Sequence, residues 1–226
     1  MPLPEHIRHD VTSYVLRHVV PKTVLPRPQT AMEWFTAQFS FVADAALKKH
    51  LAEAMYQARF AGRLREALHL RGGFNHLFIK SQILLYASMF EALIDYFLEA
   101  HETHPIVVAL LQERVFKSVP NVLSSLTRIT YAAAAGAFDI TPCREVIRTR
   151  SLKEIQFAQR LSTAVAFRLL AQADAPFVER LYTDRNSIHL IASAARDFTP
   201  DANESSDAFK TLFRFLTRLR TWTPPP

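Results

Sequence analysis

Apolar residues recur at helical spacing along most of the chain. After Thr30, a suitable N-cap, Trp34, Phe35, Phe39, Val42 and Ala46 begin a 3.6-residue pattern that continues to Leu70. Gly62 marks a candidate break and Gly72-Gly73 a stop, so this stretch predicts one long helix or two. Residues 76–100 are apolar around most of a helical circumference, with Lys80, Ser81, Ser88, Glu91, Asp95 and Glu99 in one narrow stripe. That pattern predicts the central helix of the core. Pro105 opens a helix through Lys117, residues 121–136 are another apolar segment, and Thr141-Pro142 opens a helix whose first turns carry Arg144, Arg148 and Arg150. Ser151-Leu-Lys-Glu154 has capping-box spacing and predicts a helix to about residue 173. Pro176 starts the next helix, through Arg196, and Asp207 to Arg220 forms the last amphipathic one.

No run of four or more residues alternates like a strand, and no repeat of fixed period appears. The predicted fold class is all-α, an antiparallel helical bundle with accessory N- and C-terminal helices. Residues 1–29 hold Pro2, Pro4, Pro21, Pro26 and Pro28 around a short amphipathic stretch at 10–19, which predicts a peripheral arm. Residues 30–220 then form a single helical domain, and residues 221–226, with Trp222 and three closing prolines, a frayed tail.

Composition narrows the function. With 226 residues, 49% of them hydrophobic, the chain can bury one sizeable core and falls short of two full domains. Its four glycines, Gly62, Gly72, Gly73 and Gly136, build neither a many-stranded barrel nor a glycine-rich phosphate loop, and no cofactor motif is present. The lone Cys143 makes no internal disulfide or thiolate metal site. His101-Glu-Thr-His104 has helical ligand spacing but sits at a helix end before Pro105 without the rest of a zinc-protease helix, so no metal site is assigned; His6 and His9 are set aside likewise. The N-terminus lacks a secretory leader, and the apolar stretches 83–98 and 163–175 are interrupted by Glu91, Asp95, Arg168 and Asp174, so a cytoplasmic protein outside the membrane is expected. The formal charge of +6 agrees with a phosphate-bearing partner.

The segment Leu181-Tyr-Thr-Asp-Arg185-Asn186-Ser-Ile-His189-Leu carries the chemistry. With Leu181 at zero on a helical wheel, Phe177, Ile188, Ala192 and Ala195 fall within about 40°, and Tyr182, Arg185, His189 and Arg196 between about 40° and 100°. A cationic stripe therefore flanks the core stripe, which reads either as a histidine at the core edge beside a surface arginine or as groups that packing orients at the lip of a cleft. The paired carboxylates Glu91 and Asp95 read as a solvated face, with Lys80, Ser88 and Glu91 as the alternative polar lining of that cleft. Arg144, Arg148, Arg150, Lys153 and Arg160 make the densest basic run, readable as ordinary helix-end charge or as an RNA-backbone track.

Leu-Tyr-x-x-Arg185-Asn186-Ser-Ile-His189-Leu closing an apolar helix resembles the signature of HEPN domains, helical nucleotide-binding proteins and ribonucleases. The acidic residue within the apolar run Tyr86-Ala-Ser-Met-Phe-Glu91-Ala-Leu-Ile-Asp95 is similar to one on an earlier helix of that family. The resemblance covers a core of about residues 76–196. It implies a homodimer with two Arg/His pairs facing one cleft, and metal-independent endoribonuclease activity without a cofactor, as in toxin–antitoxin or defence components. By the resemblance Arg185, His189 and Asn186 are catalytic, with His189 as proton carrier, Arg185 on the phosphate and Asn186 in support; Arg196, Tyr182, Arg144, Arg148, Arg150 and Lys153 are the phosphate-binding candidates. The implied partners are an RNA substrate or a nucleotide and an antitoxin or other protein; the alternative is a non-catalytic dimeric module binding one of these. Three residues separate Arg185 from His189, where the family pattern has four to six, yet a four-residue step still leaves both groups within about 40° on one helix face. Phe35, Phe39, Phe90 and Phe97 supply apolar material for the dimer interface.

Overall fold

The apolar run at the middle of the chain becomes the longest helix. A computed structural model describes residues 31–119, 130–133, 136–139, 143–187 and 201–226. Among these residues the fold is mostly helical: α1 (Ala31–Gln38), α2 (Ala45–Ala67), α3 (Gly72–Ala100), α4 (Pro105–Leu111), α5 (Phe157–Ala166), α6 (Ala175–Ser187) and α7 (Ala202–Thr221). Four short strands lie between α4 and α5: β1 (Gln112–Ser118), β2 (Thr130–Ala133), β3 (Gly136–Asp139) and β4 (Cys143–Thr149). The predicted arm, Thr30 among its neighbours, and the segment 188–200 with His189 and Arg196 lie outside the described residues.

The first periodic stretch forms two helices, divided at residues 39–44 and not at Gly62. Asp44 caps α2 by accepting a hydrogen bond from the Leu47 amide at 2.7 Å, satisfying a free donor of the first turn. Gly62 lies inside α2 because α3 approaches closely there: a Cβ at this position would stand 2.7 Å from Gln82 Nε2. Gln82 Nε2 donates to Ala58 O, and the Ala43 amide donates to Tyr96 Oη. These two bonds make α2 and α3 an antiparallel pair. Helix α3 also packs on α5, α6 and α7, which places it at the centre of the fold as its sequence predicts. Phe90 stacks on Phe215 and Tyr86 meets Phe209 from the α7 side. By length and composition α3 could cross a membrane, but half of its most apolar stretch is buried by the rest of the chain, as a core helix requires.

Three parts of the helical expectation are corrected. The helix from Pro105 stops at Leu111; residues predicted as its second half form β1, and those predicted as the first turns of the helix after Pro142 form β4, in an antiparallel ribbon with Gln112 opposite Thr149 through Ser118 opposite Cys143. Residues 130–133 of the apolar segment 121–136, expected to be helical, form β2, which pairs with β3, while 121–129 lie outside the described residues. The ribbon is largely exposed, Phe116 and Ile147 included, so it needs no inward and outward alternation; only the adjacent Val115-Phe116 and Val146-Ile147 carried a strand preference. Its base is tied to α4, since the Arg150 amide donates to Leu111 O and the Arg150 guanidinium to Leu110 O.

Ser151 does not cap a long helix. Its hydroxyl donates to the Glu154 carboxylate, which also takes Arg148, so the segment closes as one 3-10 turn, Leu152–Glu154, and α5 starts at Phe157. Helix α5 ends at Ala166, where Arg168 has a φ of 59° that an α-helix does not permit.

The predicted frayed tail is docked. Trp222 packs edge-on against Phe97, His101 and Phe167, and its Nε1 donates to Phe167 O at 3.1 Å. His104 Nε2 lies 3.0 Å from Pro225 O. The indole holds α3, the end of α5 and the C-terminus together. Phe35, Phe39, Phe90 and Phe97, expected at a dimer interface, are instead buried in this core. Replacing Trp222 by alanine is expected to cost about 3 kcal/mol in denaturant unfolding, while Thr223→Ala stays within about 0.5 kcal/mol.

Candidate functional site

Helix α6 is anchored by Val178 and Leu181, both buried in the core, and this sets Tyr182 and Arg185 on its shoulder as the wheel predicts. Arg185 Nη1 donates to Glu91 Oε2 on α3. The other Glu91 oxygen accepts from Arg160 Nη2 at 3.0 Å, and Arg160 Nη1 donates to Asp95 Oδ2. Glu91 therefore bridges two arginines, and Arg160 bridges two carboxylates. Aromatic rings floor the network: Phe157 stacks on Tyr182 with centroids 4.0 Å apart, the Arg160 guanidinium lies 5.5 Å from the Phe157 centroid, and that of Arg185 lies 5.6 Å from the Tyr182 centroid.

The network is graded in depth. Side-chain exposure rises from 8% at Arg160 to 31% at Arg185, so the chain of charges opens to solvent at the signature arginine. Beside it, a cavity of about 400 Å³ is lined by Gln156, Phe157, Glu179, Tyr182, Thr183 and Asn186. Burial raises the Asp95 carboxyl above its ordinary range despite the hydrogen bond and charge of Arg160, and among the described residues its Oδ1 has no hydrogen-bond partner. Burial disfavours the Arg160 cation, but the bonds and charges of Asp95 and Glu91 outweigh it and raise its pKa. Two guanidiniums face two carboxylates, so the cluster is formally neutral. Among the described residues Glu91 is the only hydrogen-bonding partner of Arg185, and the rest of its forked donor set is available to an anion at the rim.

The paired carboxylates are thus corrected from a solvated face to a half-buried ion network, because two arginines on neighbouring helices compensate them. Asn186 lies exposed at the cavity edge, next to Arg185 in sequence. Ser88 donates to Leu84 O of its own helix instead of lining a cleft. Lys80 shares the angular position of Glu91 on α3, but eleven residues at 1.5 Å per residue put it about 16 Å away along the axis.

The basic run does not form one helical track. Arg144 and Arg148 lie on β4, Arg144 opposite Lys117, while Arg148 pairs with Glu154 and Arg150 with Glu113. Lys153 is exposed on the 3-10 turn, and Arg160 points the other way, into the core. His101 Nδ1 lies 2.9 Å from Phe97 O and His104 caps α4, both rings packing on Phe167. These histidines serve helix ends and the aromatic cluster.

The structure adds Arg160 to the site. Phe157, Arg160, Leu161 and Ala164 form the buried face of α5, and a lone arginine in an apolar helical stripe is the signal that it meets a buried carboxylate. Comparison of the chain with family models, curated proteins and solved structures finds no match.

Arg160→Ala is expected to lower stability by about 3–5 kcal/mol, because it leaves the half-buried Glu91 and Asp95 uncompensated. A carboxyl whose folded pKa is raised binds its proton more tightly in the folded state. Its contribution to stability is then complete below the unfolded pKa and lost as pH rises through the folded one. Urea unfolding of the native chain and Asp95→Asn should therefore show the native chain gaining stability relative to the variant as pH falls from neutrality through the raised Asp95 pKa. A pH-independent difference would assign Asp95 its ordinary pKa.

Proposed function

We propose that the chain is a HEPN-like, metal-independent endoribonuclease acting as a toxin or defence component. The observation that carries this reading is the bond from Arg185, in the signature segment, to Glu91, the acidic residue within the apolar run of α3. Two segments that each resemble that family meet at one point, beside a cavity lined by Tyr182 and Asn186.

In this reading Glu91 and the Tyr182 ring orient Arg185, whose remaining donors neutralise charge growing on the phosphate. His189 accepts the proton of the 2'-hydroxyl, the 2'-oxygen attacks phosphorus, and the 5'-oxygen leaves with a proton from a second imidazole. The products are a 2',3'-cyclic phosphate and a 5'-hydroxyl. One chain contributes one such imidazole, so a two-fold dimer completes the acid and base pair. Phe74, Leu77 and Leu84, exposed along one side of α3, replace the buried phenylalanines as material for that contact. Arg144, Lys117 and Lys153, exposed on the ribbon and its flank, serve as backbone contacts for RNA.

The neutrality of the Arg185–Glu91–Arg160–Asp95 cluster favours a second reading, a non-catalytic HEPN-like module that binds a nucleotide, RNA or protein through the same face. Incubation of the protein with RNA in EDTA separates the two. The first expects fragments with 2',3'-cyclic phosphate ends, abolished by His189→Ala and slowed at least about 100-fold by Arg185→Ala. Binding without cleavage assigns the second. Light scattering at micromolar concentration should give the dimer mass, and a monomer removes the composite site.

A further inference from the structure

On α3 a nine-residue step turns the helix through about 180°, so Gln82 and Tyr86 face away from Glu91 and Asp95. They face α2 and α7, where a second cavity of about 70 Å³ is lined by Arg59, Arg63 and Arg65 of α2, Gln82 and Tyr86 of α3, and Ser205 and Phe209 of α7, with Glu66 beside them. Three guanidiniums meet one carboxylate. Tyr86 is fully buried and Gln82 is 5% exposed. Among the described residues Gln82 Oε1 and Arg65 Nη1 are buried without a hydrogen-bond partner, and the buried Tyr86 hydroxyl has only the Gln82 amide and the Arg59 guanidinium beside it. Unsatisfied buried polar groups are costly, so those that line this polar cavity mark a place where a ligand completes the bonding.

We infer that this cavity binds a single tetrahedral oxyanion, the protonated phosphate of inorganic phosphate or of a phosphate monoester. Charge selects an anion: Arg65 is 15% exposed and pairs only loosely with Glu66 at 3.8 Å, Arg63 is exposed, and the Arg59 guanidinium is held by its contact with the Phe209 ring at 4.2 Å. Burial pushes the Tyr86 hydroxyl up to about 12, against the opposing charge of Arg59, so it remains a donor at neutral pH. Size selects a small group, since the volume exceeds the roughly 10–15 Å³ one water needs several-fold but leaves no room for a base. Gln82 selects a protonated anion. Its Nε2 is committed to Ala58 O, which leaves Oε1 as the acceptor, and a monohydrogen phosphate or a singly protonated monoester offers it an O–H that sulfate lacks. Gly62 keeps the Gln82 amide in place, because a Cβ there would collide with Nε2.

Isothermal titration of the full chain with inorganic phosphate, sulfate and adenosine 5'-monophosphate, at pH 6.5 and matched ionic strength, tests the site. Saturable phosphate binding at least about tenfold tighter than sulfate is expected, a factor equal to one hydrogen bond of about 1.4 kcal/mol. Tyr86→Phe, Arg65→Gln and Gly62→Ala should each weaken it by about tenfold or more. Arg63→Gln, at an exposed position, should weaken it without changing the thermal midpoint, and keeps the test open where a buried variant fails to fold. Binding of the monophosphate as well identifies the monoester as ligand; binding of phosphate alone identifies the free ion. Absence of saturable binding, sulfate binding equal to phosphate, or affinity unchanged in Arg63→Gln together with a folded Tyr86→Phe would overturn the inference. His189→Ala should bind phosphate unchanged, which separates this site from the one on α6.

Discussion

A helix of 29 residues that is apolar around most of its circumference has to be covered on several sides at once, and a polar group it buries is costly without a partner inside the fold. Helix α3 imposes that condition on the rest of the chain. Helices α2 and α7 cover one side, with Phe90 against Phe215 and Tyr86 against Phe209, and α5 and α6 cover the other. The polar residues of α3 then fix where chemistry can occur, because each is a place where the surrounding helices supply something other than hydrocarbon.

On the α5 and α6 side the condition is met by charge. Glu91 and Asp95 would be costly to bury alone, and Arg160 and Arg185 compensate them from two different helices. The same bonds that offset the burial aim Arg185 at the rim of a cavity, so the demands of stability and of site geometry coincide at one carboxylate. On the α2 and α7 side compensation is incomplete. Gln82 reaches Ala58 O with one end of its amide only, and Arg65 Nη1 has no hydrogen-bond partner among the described residues. The two sides of α3 thus differ in charge: one is a formally neutral ion network, the other a cavity lined by three arginines and one carboxylate.

The connection between α4 and α5 follows different physics. A two-stranded ribbon satisfies its backbone groups by pairing and needs little apolar cover, which is why Phe116 and Ile147 remain exposed while the strands hold register over seven pairs. Its base is held by Arg150 against the end of α4. The C-terminal Trp222 plays a comparable role at the opposite end of the chain, where one indole closes the gap between α3 and the end of α5.

Helical periodicity and apolar content determined the helical character, the central place of α3, the final helix and the shoulder position of Arg185, because these follow from local spacing alone. Tertiary structure decided the remainder. Whether Glu91 and Asp95 were solvated depended on Arg160, 65 residues from Asp95 in the chain, and periodicity carries no information at that separation. The ribbon escaped because strands exposed on both faces are under no pressure to alternate. Gly62 resembled a break until the Gln82 side chain was seen to occupy the space a Cβ would take. The tail, polar and rich in proline, looked free because proline excludes regular structure but not packing, and only the surroundings of Phe167 showed where the Trp222 ring belongs.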